Sequence, residues 1–247
     1  MNKTKLQLIA SGCAFALSLF LLVSTTIAYF SDQVQITNTM TAGNVAIELT
    51  EAAVKSEHGN LVENPLAPRI KGAEEATVRS YGTIYPGISI FKDPTIQNVG
   101  DGEAWVAAKI TFTDGVGDLS KLIGYNGAPG IDMRMLLYGG ILEEGFRFGT
   151  WNGIENVRYN DRCAIVQKVD ATLGQYEFYI FFHKPFAKDE KVALFDHFIV
   201  PDDWSSQQMQ ELKELTINIQ AYGVQLFDMD SCYEAMTRAF STHFPSE

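Results

Sequence analysis

The residues best equipped for chemistry in this chain are four histidines, three cysteines and a few acidic pairs, and their spacing decides how much chemistry they can do. The histidines are His58, His183, His197 and His243, and none opens an H-E-x-x-H run. A helix offering zinc two imidazoles one turn apart, with a glutamate as base, is therefore missing from the sequence. His183 and His197 fall on neighbouring predicted strands, where they either meet as metal ligands or act as ordinary packing and surface residues among aromatic neighbours. Asp228-Met229-Asp230 begins like a calcium loop, but Tyr233 and Ala239 stand where such a loop needs glycine and glutamate, so it reads as an exposed acidic turn. Asp202-Asp203, and Asp114 with Asp118, offer at most weak calcium binding or solvated loops; no other cofactor is implied. There is no G-x-S-x-G elbow and no glycine-rich phosphate loop. Cys13 lies in the leader described next. Cys163 and Cys232 remain, as a disulfide in an oxidising compartment or as two buried thiols.

Whatever positions these residues is preceded by a segment of a different kind. Lys3 and Lys5 are followed by no charge until Asp32, a basic start, an apolar run and a small-residue exit that together read as a secretory signal. Thr26 and Ala28 suit a signal-peptidase pocket, so cleavage is expected between Ala28 and Tyr29. Residues 1–28 are then the signal peptide and residues 29–247 the exported body. The run is long enough to serve instead as an uncleaved anchor, since about 20 apolar residues span a bilayer core. Both readings keep the lysines inside and deliver the body outside, to the cell surface or the extracellular matrix. A lipoprotein reading of Ala10-Ser11-Gly12-Cys13 is poorer, because most of the apolar sequence follows Cys13.

The full chain carries 19 basic and 30 acidic residues, a net charge of −11, and loss of the two leader lysines takes the body to −13. Such a surface repels nucleic acid and anionic membranes, and a nucleic-acid partner is excluded. The body is long enough for one domain with its own apolar core.

Period-two alternation dominates that body. Residues 33–37 place Val34 and Ile36 against polar neighbours, and Val45, Ile47 and Leu49 repeat the pattern after Ala42-Gly43-Asn44. Residues 51–79 mix charge with Pro65, Pro68 and Gly72 and read as a long exposed loop. A hairpin is predicted from residues 89–98, the Gly100-Asp101-Gly102 turn and residues 104–113, with Pro94 marking an edge or a bulge. The second arm sets Val106, Ala108, Ile110 and Phe112 against Trp105, Ala107, Lys109 and Thr111. Residues 114–150 read as a glycine-rich insertion with short helices at 119–123 and 133–138. Strands follow at 163–169, 176–183, 191–200 and 216–226, a short serine-capped helix at 205–212, and a final helix at 232–240. The strand at 176–183 is aromatic on both faces, which predicts burial on both sides or a sticky exposed face. The sum is an all-β fold with short helices, arranged as a two-sheet, jelly-roll-like β-sandwich.

Three patches resemble one family. YFSD at residues 29–32 followed by TAGNVAIEL at 41–49, then KDPTIQNVGD at 92–101 with Ala104-Trp105-Val106, then INIQAYGVQ at 217–225, are similar, in order, to the camelysin and TasA family of secreted Gram-positive proteins. The resemblance implies processing by a dedicated signal peptidase, a jelly-roll body and biofilm-matrix fibres joined by an amino-terminal donor strand. In this chain that assembly strand covers residues 29–37, with Tyr29, Phe30, Val34 and Ile36 as its apolar positions. Its partners would be other copies of the chain, in filaments, and an accessory matrix protein. Edge addition supplies affinity through main-chain hydrogen bonds and register through alternate side chains. The other outcome is that the strand stays at home as the first strand of a monomer. Camelysin is a metallopeptidase, and a secreted metalloendopeptidase is the alternative the family name raises; the missing H-E-x-x-H argues against carrying that activity over. A monomeric cell-surface module binding glycan or host protein is the third reading.

Overall fold

Alternation is strongest over residues 104–113, and that segment becomes the centre of the molecule. The computed structural model describes residues 31–34, 45–58, 60–72, 84–113, 119, 136–143, 145–170, 175–211, 215–226 and 228–244. One sheet has seven antiparallel strands: β1 (Ser31–Val34), β8 (Ala104–Thr113), β10 (Arg147–Trp151), β11 (Ile154–Tyr159), β12 (Cys163–Asp170), β13 (Gln175–Phe182) and β16 (Thr216–Gln225). Their order is β1-β16-β8-β13-β12-β11-β10, with β8 paired to β16 over its whole length and to β13 over six positions.

Two smaller sheets face it. One contains β2 (Ile47–Glu51), β5 (Ile70–Lys71), β7 (Thr95–Asn98) and β14 (Lys191–Ala193), in the order β14-β7-β2-β5. The other contains β3 (Val54–Glu57), β4 (Asn60–Glu63), β6 (Ser89–Phe91), β9 (Leu137–Tyr138) and β15 (His197–Ile199), in the order β3-β4-β6-β15-β9. Among the places where the chain crosses from one small sheet to the other are those between β6 and β7 and between β14 and β15. These two crossings lie side by side: Leu194 N–H donates to Pro94 O (2.9 Å) and Lys92 N–H to Asp196 O (3.0 Å). Pro94 has no N–H to give a ladder, yet its carbonyl still accepts, so the pair bends there without coming apart.

This bend corrects two expectations. Residues 89–98 are two strands in two sheets, and so are residues 191–200. The predicted hairpin with residues 104–113 is absent as well, because β7 and β8 lie in opposite layers. Asn98, fully buried, fixes that crossing: its Nδ2 donates to the carbonyls of Gly102 (2.8 Å), Phe186 (3.0 Å) and Ala187 (3.3 Å), and its Oδ1 accepts from Gly100 N–H (3.0 Å). A side chain thus satisfies the polar backbone where the chain changes sheets.

Residues 51–79 are corrected too. The loop read there contains the β3–β4 hairpin and β5, whose side chains are mostly exposed or half-buried, so composition hides their backbone pairing. Residue 119 is buried, and residues 137–138, expected in a helix, form β9; the remainder of the predicted helices at 119–123 and 133–138, up to residue 135, lies outside the described residues. Within the predicted insertion, residues 147–151 pair as β10 with β11.

Each face of the seven-stranded sheet has its own apolar cluster. The inner cluster joins Val106, Ala108, Ile110, Phe112, Phe178, Ile180 and Ile219 to Ile47, Leu49, Ile90, Ile96 and Phe198 of the small sheets. The outer cluster joins Trp105, Ala107, Val166, Tyr179, Phe181 and Tyr222 to Cys232, Ala235, Met236, Phe240 and Phe244. Those last residues come from α2 (Cys232–Ala239) and the tail after it. Ser231 caps α2 by accepting from Glu234 N–H (3.2 Å). The other helix, α1 (Ser206–Glu211), starts with a reciprocal pair: Gln208 N–H donates to Ser205 Oγ (3.3 Å) and Ser205 N–H to Gln208 Oε1 (2.9 Å). The aromatic strand β13 is therefore buried on both faces, with Phe178 and Phe181 each at most 1% exposed.

Candidate assembly edge

A strand that is to be lent or borrowed must lie at a sheet edge and be held mainly through its backbone. β1 occupies such a place. It pairs antiparallel with β16 in the register Ser31↔Val224, Asp32↔Gly223, Gln33↔Tyr222 and Val34↔Ala221, and among the described residues no strand lies on its other side. Residues 35–44 separate it from the start of the opposite layer. Val34, expected in the assembly strand, is thus placed in β1, whereas Tyr29, Phe30 and Ile36 lie outside the described residues, as do the signal segment and the Ala28–Tyr29 cleavage site.

β16 is ready-made for an edge partner. Its ten residues pair with β8 along one side, so β1 meets a strand already fixed by its other neighbour. Gly223 shapes the seat. A Cβ there would lie 2.3 Å from Ile47 Cγ1 and 3.1 Å from Val45 Cγ1, so the missing side chain is what lets β2 and the residues before it press directly on β16 beside β1. Val45 and Ile47 are at most 4% exposed. Sequence reasoning passed over Gly223, although a lone glycine inside Ile217-Asn218-Ile219-Gln220-Ala221-Tyr222-Gly223-Val224 is the ordinary sign of close backbone approach. Each main-chain hydrogen bond contributes about 0.5–1.5 kcal/mol net, so a four-residue strand is held by a few kcal/mol, far less than the core beneath it.

In the middle of the same sheet, Lys109 and Glu177 form an ion pair (2.5 Å) and Tyr179 O–H donates to the other Glu177 oxygen (2.6 Å). Burial pushes the Glu177 carboxyl up, but the Lys109 and Tyr179 hydrogen bonds and the charges of Lys109 and Lys168 outweigh it and hold the pKa below the usual glutamate value. The Tyr179 hydroxyl is pushed the other way, by burial and by the neighbouring carboxylate. Lys109 also lies 5.2 Å from the Tyr179 ring centroid.

The remaining candidates are dispersed. Cys163 and Cys232 are free thiols, so the disulfide alternative is corrected: Cys163 packs in the inner cluster and Cys232 in the outer one, with the seven-stranded sheet between them. The Cys232 thiol donates to Val106 O (3.0 Å), and burial pushes its pKa up, which leaves it an inert core group. His183 and His197 do not meet. His183 Nε2 contacts Asn160 O (3.0 Å) at the end of β13, whereas His197 belongs to β15 in the opposite layer and bonds Asp196. Among the described residues, no three His, Cys, Asp or Glu side chains come together as a metal site. Asp228 takes a positive φ of 45° ahead of α2, and Asp230 N–H donates to Glu234 Oε2 (3.1 Å), which makes that segment the lead-in to a helix. Asp114 and Asp118 lie outside the described residues. In comparisons with known proteins, no family model, no curated protein and no solved structure matches the chain.

Proposed function

We propose that this protein is an exported structural subunit of extracellular matrix or biofilm fibres, joined by exchange of its amino-terminal strand. The observation that carries the reading is the position of β1: among the described residues it is an edge strand paired on one side only, on β16, where Gly223 lets Ile47 and Val45 pack closely beside it. A strand so placed can leave its own β16 and settle on that of a second copy in the same register, and because that contact does not close on itself it propagates as a filament. The chain would reach the cell exterior through the signal at residues 1–28, cut between Ala28 and Tyr29 by a signal peptidase. Its jelly-roll body would then polymerise, alone or with an accessory matrix protein. The cis pairing of β1 is the closed monomer from which exchange begins.

The test compares residues 29–247 with the same protein lacking residues 29–37, followed by light scattering and electron microscopy as concentration rises and pH falls. Filaments from the longer protein alone are expected. A longer protein that stays monomeric throughout overturns the reading and leaves β1 as an ordinary first strand.

A further inference from the structure

The small five-stranded sheet carries a row of rings on its solvent face. His197 is the direct cross-strand partner of Phe91 on β6 and of Tyr138 on β9. Residues directly opposite in a sheet share a face. The alternate residues Ile90, Phe198 and Leu137 all enter the inner cluster, so Phe91, His197 and Tyr138 point outward. Tyr138 is 45% exposed, and the Phe91 and His197 rings meet edge to face at 5.4 Å.

A carboxylate is built into the row. Asp196, 41% exposed at its side chain, accepts from His197 Nδ1, which turns Nε2 of the same ring away from it. Gly139 makes room: its φ is +79°, and a Cβ there would fall 2.0–2.3 Å from the Asp196 carboxylate. The backbone just after β9 thus yields space to an acidic group whose side chain meets the neighbouring imidazole. Exposed rings, a phenol, an imidazole and a carboxylate on a rigid sheet are groups that bind sugars. Ring faces take the C–H face of a pyranose, and the polar atoms take its hydroxyls or amine. Strands lie about 4.8 Å apart, close to the repeat of a linear β-linked sugar chain; because the Phe91 and His197 rings stand at 89° to each other, one offers a face and the other an edge to neighbouring sugars.

From this row we infer that the five-stranded sheet binds a linear β-linked polysaccharide bearing free amines. The charge decides the class. Asp196 lies beside the row, and the whole chain has a net charge of −11, which favours a cationic sugar polymer and opposes an anionic one. The row is on the layer opposite β1, so it does not depend on the assembly reading.

The exported protein, recovered from the surface of an exporting host, is titrated with chitosan oligomers, with fully acetylated chitin oligomers and with hyaluronan. Chitosan is expected to bind and hyaluronan to give no heat. Tyr138→Ala and Asp196→Asn, both at exposed side chains, are expected to weaken chitosan binding by about tenfold each, the scale of one lost stacking or charge-assisted contact, with thermal midpoints unchanged. Absence of chitosan binding overturns the inference. So does chitosan binding that both variants retain, which is diffuse attraction to an acidic surface, and so does tighter binding of the acetylated oligomers.

Discussion

The seven-stranded sheet ends in two edges that are protected in opposite ways. β10 is tied to β11 by the two-residue turn Asn152-Gly153, with φ of 48° and 83°, and its register shifts between Gly149 and Trp151. It also carries exposed Arg147, and Phe148 lies under the Arg158 guanidinium at 5.0 Å. A bulge, a tight hairpin and charged side chains are the usual devices that stop an edge from recruiting another strand. Among the described residues, the β1 edge is protected only by β1 itself, a four-residue strand that precedes residues 35–44. One edge is closed by its covalent neighbour and its chemistry, the other by a strand that can in principle be replaced by an identical one. That difference is the physical content of the assembly reading, and substitutions at the two edges separate it from a monomer with two inert edges.

The largest effect is expected at Gly223. Gly223→Val forces a branched side chain into Ile47 and Val45, and overpacking of a tight site costs about 1–3 kcal/mol. Urea unfolding is expected to give a loss near the upper end, and Ile47→Ala in the same chain is expected to return part of it. A loss under about 0.5 kcal/mol would mean that β2 is not pressed on β16 and that the seat beside β1 is loose. Gly153→Ala comes next, on the other edge. At a φ of +83° a Cβ is strained, and the cost is about 1 kcal/mol. Its effect should be confined to stability, with filament growth unchanged.

The two edges were unequally legible in the sequence, for reasons that lie in particular residues. Val34 and Ile36 announce a strand, but alternation names no partner, so the pairing of β1 with β16 could not be read from residues 29–37. β8, β13 and β16 are long and strongly patterned, and their faces were readable because burial on both sides of the sheet imposed the pattern. β3, β4, β10 and β11 were passed over because half-exposed strands admit charged and polar residues at most positions. The turn between β10 and β11 did carry a signal, Asn152-Gly153 between Trp151 and Ile154, which is a strong short-range mark of a hairpin. The bend at residues 92–94 was concealed for another reason: apolar alternation runs on through Ile90, Pro94 and Ile96 although the strand changes sheets.

Acid separates an edge event from failure of the whole sheet. Glu177 sits on β13 beside Lys109 of β8, in the middle of the sheet, with its pKa held below the usual value of 4.5. A carboxylate depressed by folding stabilises the native state fully above its unfolded pKa, and that contribution is lost as pH falls through the folded one. Urea midpoints should therefore decline below about pH 4.5, and Glu177→Gln should flatten part of that decline. Filaments that form above this window arise from a native sheet. Filaments that form only within it, and form earlier in Glu177→Gln, would trace assembly to loosening between β8 and β13.

The smallest effect is expected at Phe148→Lys. Phe148 is 60% exposed on β10 and its ring lies under Arg158, so the substitution removes a surface cation–π pair and sets two positive charges side by side. Stability should change by no more than about 0.5 kcal/mol. If β1 exchange alone drives polymerisation, filament yield by light scattering should match the parent protein, because nothing near Gly223 or β16 is altered. Loss of filaments with stability intact would place Phe148 in the contact between copies. The β10 edge, bulge and charges notwithstanding, would then be the receiving surface, and the contrast between a closed edge and an exchangeable one would fail at its closed end.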